Sequence, residues 1–164
     1  MRILENSETN LAREYFREAR EEALKSSCYI SKCGAVLVKN NIIQGRGFNS
    51  PPKDKKLEKY FKDSLPGDFN LDRTCCIYAV QGAIDNALDK YNKEVIEGSI
   101  LYFTRLSKEK KIIPVGKPYC TICSKLALDN GISKLVLFHD FGFTEYNAKE
   151  YNEISFGRLE WELK

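Results

Sequence analysis

Two thiols separated by two residues, Cys120 and Cys123 in Pro118-Tyr119-Cys120-Thr121-Ile122-Cys123, are the side chains of this chain best placed for chemistry. That spacing suits a pair of metal ligands or a reactive thiol pair. Two sulfurs alone hold zinc weakly, so a metal site needs a further donor. Cys76, in Cys76-Ile77-Tyr78-Ala79-Val80, is the best candidate, with Cys75 pointing the other way if this segment is extended. Zinc takes thiolate or imidazole before phenol, which makes Tyr78 a bystander. Hydrolysis at such a metal also needs a carboxylate to move protons, yet residues 74–84 contain no Asp or Glu, and the first acid is Asp85. His139, the only histidine, follows a strand and reads as a surface or strand-end residue. Cys120 and Cys123 have an equally simple alternative as core thiols.

The elements that would position these groups follow from periodicity. Leu11, Tyr15, Phe16, Ala19, Ala23 and Leu24 recur at helical spacing, predicting an amphipathic helix from about 10 to 26. Gly34-Ala35-Val36-Leu37-Val38-Lys39 and Ile42-Ile43-Gln44-Gly45-Arg46 flank Asn40-Asn41, a two-residue hairpin turn. Ala79, Ala83, Ile84, Ala87 and Leu88 mark a second helix. The apolar runs 100–104 and 134–138 read as strands buried on both faces, joined through a helix from about Cys120 to Asn130 that stops at Gly131. Strand, helix, strand makes a right-handed parallel crossover. Residues 144–152 read as a helix, and Leu159, Trp161 and Leu163 as a last, parallel edge strand. The expectation is a three-layer α/β/α sandwich with a five-stranded mixed sheet, in one domain over residues 1–164.

At 164 residues the chain can bury one substantial core, and its net charge of +3 does not by itself argue nucleic-acid binding. The first residues lack the apolar run of a signal peptide and no later stretch is long enough to span a membrane, so a cytoplasmic protein with reduced cysteines is expected. Lys53, Lys55, Lys56, Lys59 and Lys62 form a basic run that reads as a solvated face and, alternatively, as a phosphate contact.

A hairpin, a helix, a strand, a Cys-x-x-Cys helix and a strand in this order resemble the cytidine, deoxycytidylate and tRNA-adenosine deaminase superfamily over most of the chain. Gly34-Ala35-Val36 is similar to the start of the family's first strand. Cys28 falls where deoxycytidylate deaminases often carry a cysteine. Gly47-Phe48-Asn49-Ser50-Pro51-Pro52 matches a Gly-x-Asn-x-Pro segment, which makes Asn49 a substrate-contacting or a turn-stabilising residue. The helical crossover to a parallel last strand resembles the nucleotide branch. The resemblance implies zinc, a nucleotide or nucleobase ligand, and a homodimer or higher homo-oligomer, with Phe141, Phe143, Tyr146 and Phe156 offering apolar surface for contact.

The family signature is H-x-E followed by P-C-x-x-C. Here Tyr78 stands in the ligand position and Val80 in the position of the carboxylate, with Ala79 between them. The pair reads as apolar bulk filling an emptied site. Tyr119 also intervenes between Pro118 and Cys120, and residues 105–117 make a longer link than usual, expected to cross the pocket mouth. No catalytic residue is therefore expected. The reading is a catalytically degenerate deaminase-fold protein that binds a nucleotide, a nucleic acid or a partner subunit. The alternatives are a zinc hydrolase with an unconventional metal site and a thiol- or sulfur-handling protein using Cys120 and Cys123.

Overall fold

The structure is a computed structural model and describes residues 1–28, 31–51 and 77–161. The hairpin is built from β2 (Lys32–Lys39) and β3 (Ile42–Phe48). Asn40 and Asn41 both adopt left-handed backbone, with φ of 50° and 62°, as the tight hairpin turn demands. Next to β2 lies β4 (Ile100–Leu106), antiparallel to it, and β4 runs parallel to β6 (Lys134–His139). Between those two strands stands α4 (Thr121–Asp129), the crossover helix the apolar runs predict.

Side-chain alternation along these strands sorts two cores onto opposite faces. Val36, Val38, Tyr102 and Val136 meet Ala12, Tyr15, Phe16 and Ala19 of α1 (Asn6–Lys25). Ala35, Leu37, Leu101, Leu135 and Leu137 meet α2 (Ala79–Leu88) and α4 on the other face. The three-layer sandwich is thus present, although Leu11 of the expected apolar stripe is exposed. A short α3 (Lys93–Ile96) leads from α2 into β4. Glycines let α2 lie directly on β3: a Cβ at Gly47 would come within 3.0 Å of backbone atoms of Ala79, Gly82 and Ala83.

The sheet has seven strands among the described residues, not five. β1 (Arg2–Ile3) pairs with β7 (Gly142–Asn147), and β5 (Ile112–Ile113) folds back on β4, giving the order β1-β7-β6-β4-β2-β3 with β5 beside β4. The expected parallel last strand is corrected: β7 follows β6 through a tight turn and is antiparallel to it. The decisive residue is Gly142, whose φ of 129° lies where side chains are rarely tolerated, so the chain reverses at once rather than crossing over. The helix expected over 144–152 is displaced to α5 (Ala148–Ser155), capped by Asn147, whose side chain accepts the Lys149 amide at 2.9 Å. Residues 158–161 form no strand, and Leu163 lies outside the described residues.

The aromatics expected to offer contact surface are mostly used internally. Phe143 packs between Phe16 and Phe138, Tyr146 is fully buried, and only Phe156 is substantially exposed. His139 is also corrected, since it ends β6 as expected but is 1 % exposed. Its Nδ1–H donates to the Val115 carbonyl at 2.7 Å, so Nε2 accepts from the Tyr146 hydroxyl at 2.8 Å, and that oxygen accepts from Trp161 Nε1–H at 3.0 Å. This order of bonds, with Nε2 accepting, is that of the neutral imidazole.

Burial holds His139 below the ordinary histidine value of 6.5, against the opposing effects of the Val115 carbonyl and Asp140. The unfolded chain then binds a proton that the folded one refuses, so stability present above pH 6.5 is lost as pH falls toward the folded-state value. Urea unfolding at about pH 7.5 and about pH 5.5 should show a lower midpoint at the acid end, and His139→Gln should flatten the difference. A slope that survives the substitution would place its origin in other groups.

Candidate active site

One cavity of about 170 Å³ lies where the starts of α2 and α4 approach the sheet. Alternation aims Phe103, Arg105 and Leu135 to the α2–α4 face, and register sets Cys33 directly opposite Arg105. Tyr151 reaches the same cavity from α5. A two-residue bridge joins Ser50 and Ile77, with Ile77 N–H to the Ser50 carbonyl at 2.8 Å, and so holds Asn49 beside the start of α2.

The expected site residues Asn49, Tyr78, Ala79, Val80, Cys120 and Cys123 all line this cavity. Cys76, the candidate third ligand, lies outside the described residues, as do Cys75 and the basic run at Lys53, Lys55, Lys56, Lys59 and Lys62. Tyr78 occupies the N-cap position of α2, and Val80, 3 % exposed, belongs to the apolar core. The link after β4 does not cross the mouth as a loose segment. It turns back as β5 and is pinned by Val115 N–H on the Phe138 carbonyl at 2.8 Å, and of residues 105–119 only Arg105 and Tyr119 line the cavity.

The Cys120 and Cys123 sulfurs meet at the cavity wall, their Cα atoms 5.3 Å apart, an approach that suits a thiol pair or two ligands of one metal. Cys120 is the N-cap of α4, and its sulfur accepts the Cys123 amide at 3.2 Å. Asn49 is held mainly in a structural role. Its Oδ1 accepts the Cys33 amide and faces the Ser26 hydroxyl, each at 2.8 Å, while Nδ2 donates to the Ser31 carbonyl at 2.8 Å. Among the described residues the second Nδ2 hydrogen meets no acceptor.

Residues that periodicity alone did not single out are Cys33, Phe103, Arg105 and Tyr151. The signal for Phe103 and Arg105 was the period of two running from Leu101 through β4; it needed the facing helix to be known. Arg105 donates to the Tyr119 hydroxyl at 3.0 Å, and its Nε is buried with no hydrogen-bond partner among the described residues. Burial pushes the Cys33 thiol up, with the Ser31 hydroxyl and Arg105 acting against that rise.

The donor chemistry can be tested against zinc. Among the described residues no three His, Cys, Asp or Glu side chains gather where they could hold a metal ion. Among the described residues the cavity wall contains two paired sulfurs, a half-buried thiol and three phenols, but no imidazole and no carboxylate. By itself this set does not fit a hydrolytic zinc site.

Residues 9–139 match the model of the cytidine and deoxycytidylate deaminase zinc-binding region. The chain belongs to the cytidine and deoxycytidylate deaminase family. Within it, the chain is 32% identical over 130 residues to the deoxycytidylate deaminase of Mycobacterium phage D29, covering 75% of this chain and 91% of that one. The fold is similar to that of the dCMP deaminase from the cyanophage S-TIM5 in complex with dCMP and dUMP, with a TM-score of 0.58 at 22% identity over 79% of this chain and 82% of that chain. It is also similar to the cytidine deaminase from Burkholderia pseudomallei, with a TM-score of 0.54 at 16% identity over 85% and 94%. The deoxycytidylate branch of the family therefore stands on sequence similarity. The argument for that branch from a parallel last strand does not hold, because β7 is antiparallel.

Proposed function

We propose that this family member binds a nucleotide or nucleobase in the cavity without deaminating it. The observation that carries the reading is the wall itself: among the described residues lining it there is no histidine, aspartate or glutamate. Deamination needs a group that shuttles protons between water, ring nitrogen and leaving ammonia, and positioned acid–base catalysis of that kind is typically worth about 10²–10⁴-fold. Val80 supplies none of it. Asp85, the first acid after it, is exposed and does not line the cavity.

Phe103, Tyr78 and Tyr151 offer aromatic faces for a base, while Arg105 brings positive charge suited to a phosphate. Deoxycytidylate is the first ligand to try, since the phage relative is named for acting on it. A homo-oligomer belongs to the same reading, supported by the exposed apolar residues Leu88, Tyr91 and Val95 at and beyond the end of α2. No helix among the described residues is long and apolar enough to cross a membrane. The similarity to a deoxycytidylate deaminase favours one other reading, an active hydrolase whose metal is completed by Cys76.

Ammonia release decides between them. The reduced protein, supplied with zinc, should release none above background from deoxycytidylate, cytidine or adenosine. Calorimetry should nonetheless show deoxycytidylate binding that weakens on Arg105→Ala. Zinc-dependent ammonia release, abolished by Cys120→Ala, would establish the hydrolase instead.

A further inference from the structure

We infer that His139 is a proton-operated latch on the C-terminal tail, a proton on its imidazole freeing residues 159–161 while the sheet stays folded. The inference is independent of what the cavity binds. The order of bonds carries it. The Tyr146 hydroxyl spends its one hydrogen on His139 Nε2 at 2.8 Å and accepts Trp161 Nε1–H at 3.0 Å. A protonated ring carries hydrogen on both nitrogens. Its Nδ1–H still suits the Val115 carbonyl, so the link before α4 keeps its tie. Its Nε2–H, however, makes the Tyr146 oxygen accept from two sides. The hydroxyl hydrogen is then left without a partner among the described residues, on a side chain that is fully buried. An orphaned buried donor carries its full desolvation cost, and the new charge adds to it.

The tail is the wall that yields. Leu159 and Glu160 are exposed and Trp161 is half-buried, with no strand to hold them. The tail backbone is tied back as far as Leu159, on the Glu153 carbonyl. Beyond it, among the described residues, the indole bond to Tyr146 is the hydrogen bond that holds the end. The other sides of the imidazole are closed by β7, paired along β6, and by Val115, held on the Phe138 carbonyl. Departure of Trp161 lets water accept the Tyr146 hydrogen and solvate the cation. The charged groups nearby do not replace that water. Asp140, next on the chain, favours the proton but is exposed, as is Glu160 of the tail. Glu150 of α5 pairs with the N-terminal amine, while Lys117 of the link and Arg158 of the tail carry the wrong sign. Tyr151 of α5 stands edge-on to Tyr146, and burial pushes its phenol up, so it stays neutral. The docked ring refuses a proton that the released ring accepts near 6.5, so docking is complete above that pH and weakens below it.

The test digests the whole native chain with a glutamyl endopeptidase at about pH 7.5 and about pH 5.5, on either side of the ordinary histidine value. Mass spectrometry scores cleavage after Glu160. Each rate is divided by that of a free peptide of residues 157–164 at the same pH, which removes the protease's own pH dependence. With opening fast relative to cleavage, the ratio follows the open population. It should rise between about threefold and about tenfold at the acid end, about tenfold being the ceiling for one proton on a group of ordinary value 6.5. Cleavage after Glu22, buried in α1, should not rise. His139→Gln should give the same ratio at both pH values. Tyr146→Phe keeps the ring but not the hydroxyl, and should give a ratio at both pH values no lower than the parent's acid one. A flat parent ratio, or an acid rise that survives His139→Gln, would overturn the inference. So would a tail that stays protected in Tyr146→Phe, or equal acid rises after Glu160 and Glu22, which would mean unfolding of the whole chain. The two sites in the parent decide even where a variant fails to fold.

Discussion

A chain carrying Tyr78→His and Val80→Glu together should bind stoichiometric zinc under reducing conditions, where the parent binds none. The two positions stand at the N-cap and in the first turn of α2, lining the same cavity as the sulfurs at the start of α4. An imidazole at position 78 supplies the missing third donor, and a carboxylate at position 80 supplies the proton carrier. The single change Val80→Glu should behave very differently. Val80 is part of the apolar core, so an unpaired carboxyl there would be buried without a partner and would cost several kcal/mol. Metal analysis and thermal melts with and without zinc separate the cases. The double variant should gain melting temperature with zinc, and its ammonia release from deoxycytidylate should exceed the parent's by at least about 10²-fold. Stoichiometric zinc in the parent, lost on Tyr78→Phe, would mean that the phenol is a ligand and the donor argument is wrong.

The second large effect concerns the scaffold. Gly47→Ala should lower stability by about 3 kcal/mol or more, since overpacking a close contact against backbone exceeds what a side-chain shift relieves. The added methyl meets backbone atoms of Ala79, Gly82 and Ala83, none of which can turn away. The relief available is to lift α2 off β3, which also moves Tyr78 and Val80 away from the sheet. The urea midpoint should fall accordingly and deoxycytidylate binding should weaken with it. Gly116→Ala is the control, because a Cβ there meets nothing within 4 Å. Equal midpoints for the two variants would show that the helix is not seated on the strand as described.

Most of the frame could be read from residue order because its signals are local and redundant. Asn40-Asn41 names its own turn, and the apolar runs of β4 and β6 are long enough to identify strands buried on both faces. The C-terminal quarter was misread where one residue outweighed a pattern. Gly142 permits an immediate reversal, while the stretch after it scans passably as a helix. The cavity was legible on its helical side, where spacing carries the information, and at Asn49, which the Gly-x-Asn-x-Pro match picks out. Cys33, Phe103, Arg105 and Tyr151 arrive from three different elements, and their meeting depends on strand register, which short-range pattern does not encode. His139 shows the same limit. Its burial depends on Tyr146 from the unexpected β7 and on Trp161 from a tail expected to be a strand.

That last contact gives the protein a built-in optical reporter. Trp161 is the only tryptophan in the chain, so all indole emission comes from a ring 5.5 Å from the His139 imidazole and bonded to the hydroxyl that imidazole holds. Emission from a single indole beside a protonatable ring reads two events without any label. A shift to longer wavelength reports the tail leaving the sheet, and quenching at constant wavelength reports the proton arriving on His139 while the tail stays docked.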